Sequence, residues 1–110
     1  MTDSLGSLQQ LVMLAVLRLP GEAYGAQLQL MLEETAGRTV TIGSIYVTMD
    51  RLESRGFVRS WLAGPTPARG GKAKRWYALT ERGIRTLREA KGELERMWRA
   101  VEPRAVLEAP

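Results

Sequence analysis

Ser44, Tyr46, Thr48 and Arg51 fall together in the stretch TVTIGSIYVTMDRLESRGFV, residues 39–58. Short hydroxyls, a phenol and a guanidinium at helical spacing are groups that read nucleic acid. Arg offers paired donors to guanine edges, and hydroxyls reach bases or phosphates. With Val47 and Arg55 they form the polar side of one helix. Enzymatic chemistry has no comparable candidates. The chain contains no His and no Cys to serve as base, nucleophile or zinc ligand. Its carboxylate pairs, Glu33 with Glu34 and Glu93 with Glu95, read as solvated helix faces. Gly70-Gly71-Lys72 is not a phosphate loop of an ATPase, because Thr66 stands where the first glycine is needed and Ala73 where Ser or Thr must follow Lys. No catalytic residue, metal or cofactor is expected.

The reading helix has its own start and stop. Thr41 can accept from the free amides of the first turn, and Gly56 suits the left-handed residue after a helix. Ile42, Ile45, Met49 and Leu52 make a narrow apolar stripe on the inner side. Ahead of it, Ala26 to Thr35 reads as a second helix, stopped by Gly37, with Tyr24 and Gln27 near an amide-rich N-terminus that favours phosphate. Two helices in this order, the second with an outward polar face, follow the helix-turn-helix plan. Phe57 to Leu62 and Arg75 to Leu79 are rich in strand formers. Ala63 to Lys74, between them, is rich in Pro and Gly, so a hairpin is expected. Arg69, Lys72, Lys74 and Arg75 on its tip and return can meet phosphates or enter a minor groove.

Two further helices bracket this unit. Ser7 to Leu19 is apolar on most sides: Leu8, Leu11, Val12, Ala15, Val16 and Leu19 share one face, and Met13, Leu14 and Leu17 fill much of the rest. Such a helix is buried on most sides, and in so short a chain a second subunit is the expected cover. After Thr80 as N-cap and Glu81 in the first turn, a last helix is predicted to reach Val101 or Glu102, just ahead of Pro103. Ile84, Leu87, Lys91, Leu94, Trp98 and Val101 alternate spacings of three and four, a coiled-coil seam with one polar member. The expected dimer interface is Leu8, Leu11, Ala15, Ile84, Leu87, Leu94, Trp98 and Val101. The predicted fold is α+β, mostly α: a winged helix-turn-helix over residues 1–79, with the wing at about 58–79. A C-terminal dimerisation helix follows at 80–102 and a tail at 103–110, all in one compact unit.

Charge is distributed unevenly. Of the net +4, residues 1–36 hold Arg18 against Asp3, Glu22, Glu33 and Glu34. Residues 38–75 hold eight Lys or Arg against Asp50 and Glu53. A positive field concentrated on the central helix and hairpin attracts a polyanion, and nucleic acid is the common one. The 110 residues, 45% hydrophobic, suit one folded domain with a modest core. The longest apolar run, Leu11 to Leu17, cannot span a bilayer. No basic segment with a cleavage site opens the chain, and the lack of cysteine is compatible with the cytoplasm.

Three phrases occurring in order resemble the PadR family of bacterial transcriptional regulators: LVMLAVLRLPGEAYGAQL, IGSIYVTMDRLESRGFV and GGKAKRWYALTERG. The resemblance runs from about Leu8 to Val101 and departs from the family at Val47, where many members have proline, and at the insertion Gly64-Pro65-Thr66-Pro67. It implies a homodimeric winged-helix repressor that reads a pseudo-palindrome in double-stranded DNA, and release by a small molecule in many members. Carried onto this chain, the DNA-facing residues are Ser44, Tyr46, Thr48 and Arg51, with Thr41 at the helix start. Tyr24 would meet phosphate, and Lys72, Lys74 and Arg75 would serve in the wing. Trp98 and its symmetry mate would face each other across the two-fold axis as walls for a planar aromatic effector, as in a few small members. Glu95 and Glu102 would lie nearby as acceptors for a cationic ligand. The competing reading is a winged-helix module that binds another protein through the same face; a strong inverse dependence of DNA affinity on salt separates the two.

Overall fold

The computed structural model describes residues 4–64 and 73–101. In chain order it contains α1 (Ser7–Arg18), α2 (Gly25–Ala36), α3 (Ile42–Ser54), β1 (Val58–Ala63), β2 (Lys74–Leu79) and α4 (Glu81–Trp98). Arg69, Lys72, Glu102 and the 103–110 tail lie outside the described residues.

The helix ends follow local chemistry. Thr41 accepts from the Ser44 amide at 3.1 Å, as the N-cap reading of α3 requires. At its far end Gly56 has φ of 80°. The Gly56 amide bonds back to Glu53 O and the Phe57 amide to Leu52 O, at 2.9 Å each. This paired closure satisfies carbonyls that the helix leaves open, and the positive φ favours glycine. The chain then turns directly into β1. Gly37 (φ 64°) closes α2 in the same manner. Thr80 caps α4 through the Gly83 amide at 3.0 Å and donates its hydroxyl to Gly56 O at 2.6 Å, so the end of α3 and the start of α4 are tied together.

The core lies where α1, α2 and α3 meet the inner face of the hairpin. Val12, Met13, Leu28, Ile45, Met49, Leu52 and Phe57 are fully buried there. β1 and β2 pair antiparallel, with Ser60 opposite Tyr77 and Trp61 opposite Trp76. A third extended piece joins the outer edge of β2: the Tyr77 amide donates to Ala23 O at 2.9 Å, and Tyr24 bridges to Trp76. α1, α2, α3 and a hairpin behind them give the winged helix-turn-helix arrangement, mostly helical, that the sequence predicts.

Several expectations need correction. Ala15 and Leu87, read as dimer contacts, are buried within the single subunit. Leu14 and Leu17 are the exposed leucines of α1 instead. The reason is helix phase: Val12, Met13, Ala15 and Val16 face the core, which rotates Leu14 and Leu17 outward. α4 stops at Trp98, short of Val101, because Arg99 turns extended with ψ of 131° and Ala100 follows with a left-handed φ of 59°. Val101 therefore lies beyond the helical seam. Lys91, the seam's polar member, is exposed and pairs with Glu95 at 3.7 Å. Only the first half of α4 enters the core, through Gly83, Thr86 and Leu87. Its second half carries Leu94, Met97 and Trp98 exposed, Trp98 at 68%.

Candidate nucleic-acid interface

Ile45, Thr48, Met49 and Leu52 are the buried residues of α3. Spacings of three, four and seven from Ile45 put them on one side of an α-helix. This corrects the placement of Thr48 on the outward face: it is 9% exposed and packs inward. The outward face is formed by Ser44, Tyr46, Val47, Asp50 and Arg51. Tyr46 is 41% exposed and Val47 50%. Thr41 donates its hydroxyl to Ser44 Oγ at 3.0 Å, so the first two polar groups of this face form a fixed pair. Arg55 does not join it. Its guanidinium donates to Ser4 O at 2.7 Å and Gln9 Oε1 at 3.3 Å, and lies 4.7 Å from the Phe57 ring centre.

The start of α2 sits against this face. The Tyr46 ring lies over Gly25, where a Cβ would come within 2.6 Å of Tyr46 Oη. Only glycine lets the phenol settle on the first turn of α2. Tyr24 stands next to it, accepts from Gln27 Nε2 at 3.2 Å and meets Trp76 edge to face, with ring centres 4.9 Å apart. The Lys74 ammonium lies 4.1 Å from the centre of the Tyr24 ring. The Gln27 hydrogen bond, with help from Lys74 and against a smaller opposing effect of desolvation, holds the Tyr24 phenol below its ordinary pKa.

Tyr24, Gly25, Ala26, Ile42, Tyr46, Leu62, Ala73, Lys74 and Arg75 line one open hollow of about 640 Å³. Of the residues singled out from the sequence, the structure brings Tyr24, Tyr46, Lys74 and Arg75 to this hollow, with Ser44 and Arg51 on the adjoining helix face. Ile42, Gly25 and Leu62 were not recognised as part of it. Ile42 reads as core because it keeps the stripe's spacing, and Leu62 reads only as a strand residue. For Gly25 a signal exists, an A-Y-G phrase at a helix start, but what the glycine accommodates is visible only in three dimensions.

Behind the face, Tyr77 is buried on the α3 side of the sheet, and its hydroxyl has no hydrogen-bond partner among the described residues. Burial, aided by Tyr46 and Asp50, pushes this phenol up to about 12. Among the described residues no group of three or more His, Cys, Asp or Glu side chains is placed to hold a metal ion, and no helix is long and apolar enough to cross a membrane.

Known proteins share this fold. A PadR-family transcriptional regulator from Eggerthella lenta superposes with a TM-score of 0.65 at 32% identity, over 82% of this chain and 78% of that one. A PadR-like regulator from Bacillus cereus aligns over 94% of this chain and 93% of its own at 21% identity, TM-score 0.66. The PadR protein of Bacillus subtilis, solved in complex with operator DNA, matches with a TM-score of 0.57 at 19% identity, over 89% of this chain and 50% of that one. No curated protein matches significantly. Residues 13–89 match the family described as "Transcriptional regulator PadR-like family". With most of its length inside that match, the chain belongs to the PadR-like family of transcriptional regulators, which are not enzymes.

Proposed function

We propose that the chain is a sequence-specific DNA-binding repressor acting in the cytoplasm as a homodimer. The observation that carries this reading is the continuity of the outward face of α3 with the cationic hollow. Ser44, Tyr46, Val47 and Arg51 are exposed beside Tyr24, Lys74 and Arg75. A helix of this composition suits the major groove, where Arg51 would read a base edge and the hydroxyls would meet bases or phosphates. Tyr24, Thr41, Lys74 and Arg75 would hold the flanking backbone. The Bacillus subtilis relative bound to operator DNA supports the assignment.

A dimer would cover what one subunit leaves open. Leu14, Leu17, Ile84 and Leu94 line an apolar groove of about 540 Å³ between α1 and α4, with the buried Leu87 at its floor, and Met97, Trp98 and Val101 are exposed further along. α4, with Leu8 and Leu11 of α1, would form the subunit contact. Two copies of α3 would then sit about 34 Å apart on a pseudo-palindrome. Trp98, facing its mate across the two-fold axis, would stack on a planar aromatic effector, with Glu95 beside it.

The test is selection of bound duplexes from a random pool, followed by titration of the recovered site against salt. A palindromic consensus and a steep fall of affinity with salt are expected. Recovery of no consensus, with affinity indifferent to salt, overturns the reading. Planar cationic dyes should quench Trp98 saturably and release the duplex; quenching without release removes the switch from the proposal.

A further inference from the structure

Glu53 lies in the last turn of α3, where the helix dipole disfavours a carboxylate. On a helix read as DNA-binding it also opposes the phosphates. Its contacts point elsewhere. The Ser60 amide donates to Glu53 Oε2 at 3.0 Å, and the Ser60 hydroxyl donates to the same carboxylate at 2.9 Å. The Arg75 guanidinium donates in turn to Ser60 Oγ at 2.9 Å. Ser60 faces Tyr77 across the ladder, and the Tyr77 amide turns outward to Ala23 O. The Ser60 amide turns outward on the other edge, to Glu53. Arg75 is the diagonal neighbour of Ser60 on the same face of the hairpin, since it stands opposite Leu62.

A serine hydroxyl has one hydrogen and two lone pairs. Once its hydrogen is committed to Glu53, its lone pairs are presented to Arg75. We infer that Glu53 is a positioning residue for DNA binding: through Ser60 it fixes the direction of the wing's Arg75 relative to the reading helix. The inference rests on the DNA-binding reading above. It explains a carboxylate on a cationic face as the anchor of a cation that must stay in register with α3. Without Glu53 the Ser60 hydroxyl is free to rotate, the edge of β1 loses its tie to α3, and Arg75 swings on its long side chain.

The experiment compares wild type, E53A, R75A, the E53A/R75A double variant, S60A and S60T on the selected duplex, each titrated against salt with its melting temperature recorded. Simple charge removal makes E53A bind more tightly. The positioning role makes it bind about tenfold more weakly and flattens the slope of log K against log salt by about 0.9, one phosphate contact, as R75A does. The double variant should be no flatter than R75A, S60A should copy E53A, and S60T, which keeps the hydroxyl, should bind as wild type. Tighter or unchanged binding by E53A overturns the inference, as does a loss that adds to that of R75A. A lower melting temperature with an unchanged slope assigns Glu53 a structural role only, and E53Q and S60A carry the comparison where E53A does not fold. A wild-type slope in R75A overturns this inference alone; failure of the wild type to bind any duplex overturns the proposed function and this inference with it.

Discussion

Gly25→Ala isolates the seat of Tyr46 from the stability of the fold. The new methyl would lie 2.6 Å from Tyr46 Oη, 3.0 Å from Cζ and 3.2 Å from Cε1. Carbon contacts are comfortable near 3.5 Å, so the phenol must retreat by about 1 Å. Tyr46 is half-exposed, which lets the ring move outward without disturbing the core. Overpacking costs about 1–3 kcal/mol in a closed core, and this site lies at the low end of that range. At the first position of α2 the replacement of glycine returns only part of the roughly 1 kcal/mol gained in a helix interior, so the melting temperature should fall only slightly. DNA affinity should fall, because Tyr46 sits between Ser44 and the Tyr24 hollow. A lost hydrogen bond to a charged phosphate costs about 1.5–3 kcal/mol, or roughly tenfold to a hundredfold. Fluorescence anisotropy on the selected duplex reads the affinity and circular dichroism the melting. Gly25→Ala combined with Tyr46→Phe, which removes the closest atom, should recover part of the packing but not the hydroxyl's contact. A large fall in melting temperature with undiminished affinity would show that the Tyr46 seat on Gly25 serves the fold and not DNA binding.

Arg51→Ala should weaken the specific duplex by about 1–3 kcal/mol and relax preference at one base position; equal loss on specific and random DNA would assign Arg51 to phosphate. Trp98→Ala should leave the melting of the dilute subunit unchanged while raising the dimer dissociation constant at least a hundredfold, the cost of a buried Trp being about 3–5 kcal/mol; sedimentation that matches wild type would remove Trp98 from the interface. The Tyr77 phenol is raised to about 12 in the fold, so the stability it contributes is whole below its ordinary value of 10.0 and is lost as pH rises toward 12. Tyr77→Phe has no proton to lose there and should hold its melting temperature between pH 10.0 and 12 better than wild type; parallel decline of both proteins would show that Tyr77 ionisation is not what destabilises the fold.

Features that depend on near neighbours along the chain are readable without the fold. Thr41 and Thr80 as caps, Gly37 and Gly56 as stops and the Ile45–Met49–Leu52 stripe are set by residues within two turns of one another, and the hairpin between Phe57 and Leu79 by two strand-forming runs on either side of a Pro- and Gly-rich stretch. The charge on the central segment is composition alone. From these the winged helix-turn-helix and most of the polar face were legible. Packing between elements selects which groups on them remain available. Thr48 carries the same hydroxyl as its outward neighbours, but helix phase directs it inward. Arg55 has the chemistry of Arg51, but Ser4 and Gln9, distant in sequence, hold it away from the face. Ala15 and Leu87 keep the spacing of an interface yet are covered within the subunit, and Ala23 and Tyr24, which lack a strand's alternation, still pair with β2. The contact of Tyr46 with Gly25 and the chain from Glu53 through Ser60 to Arg75 each join different elements. No local pattern encodes such contacts, because they exist only when packing fixes the distance and angle between those elements.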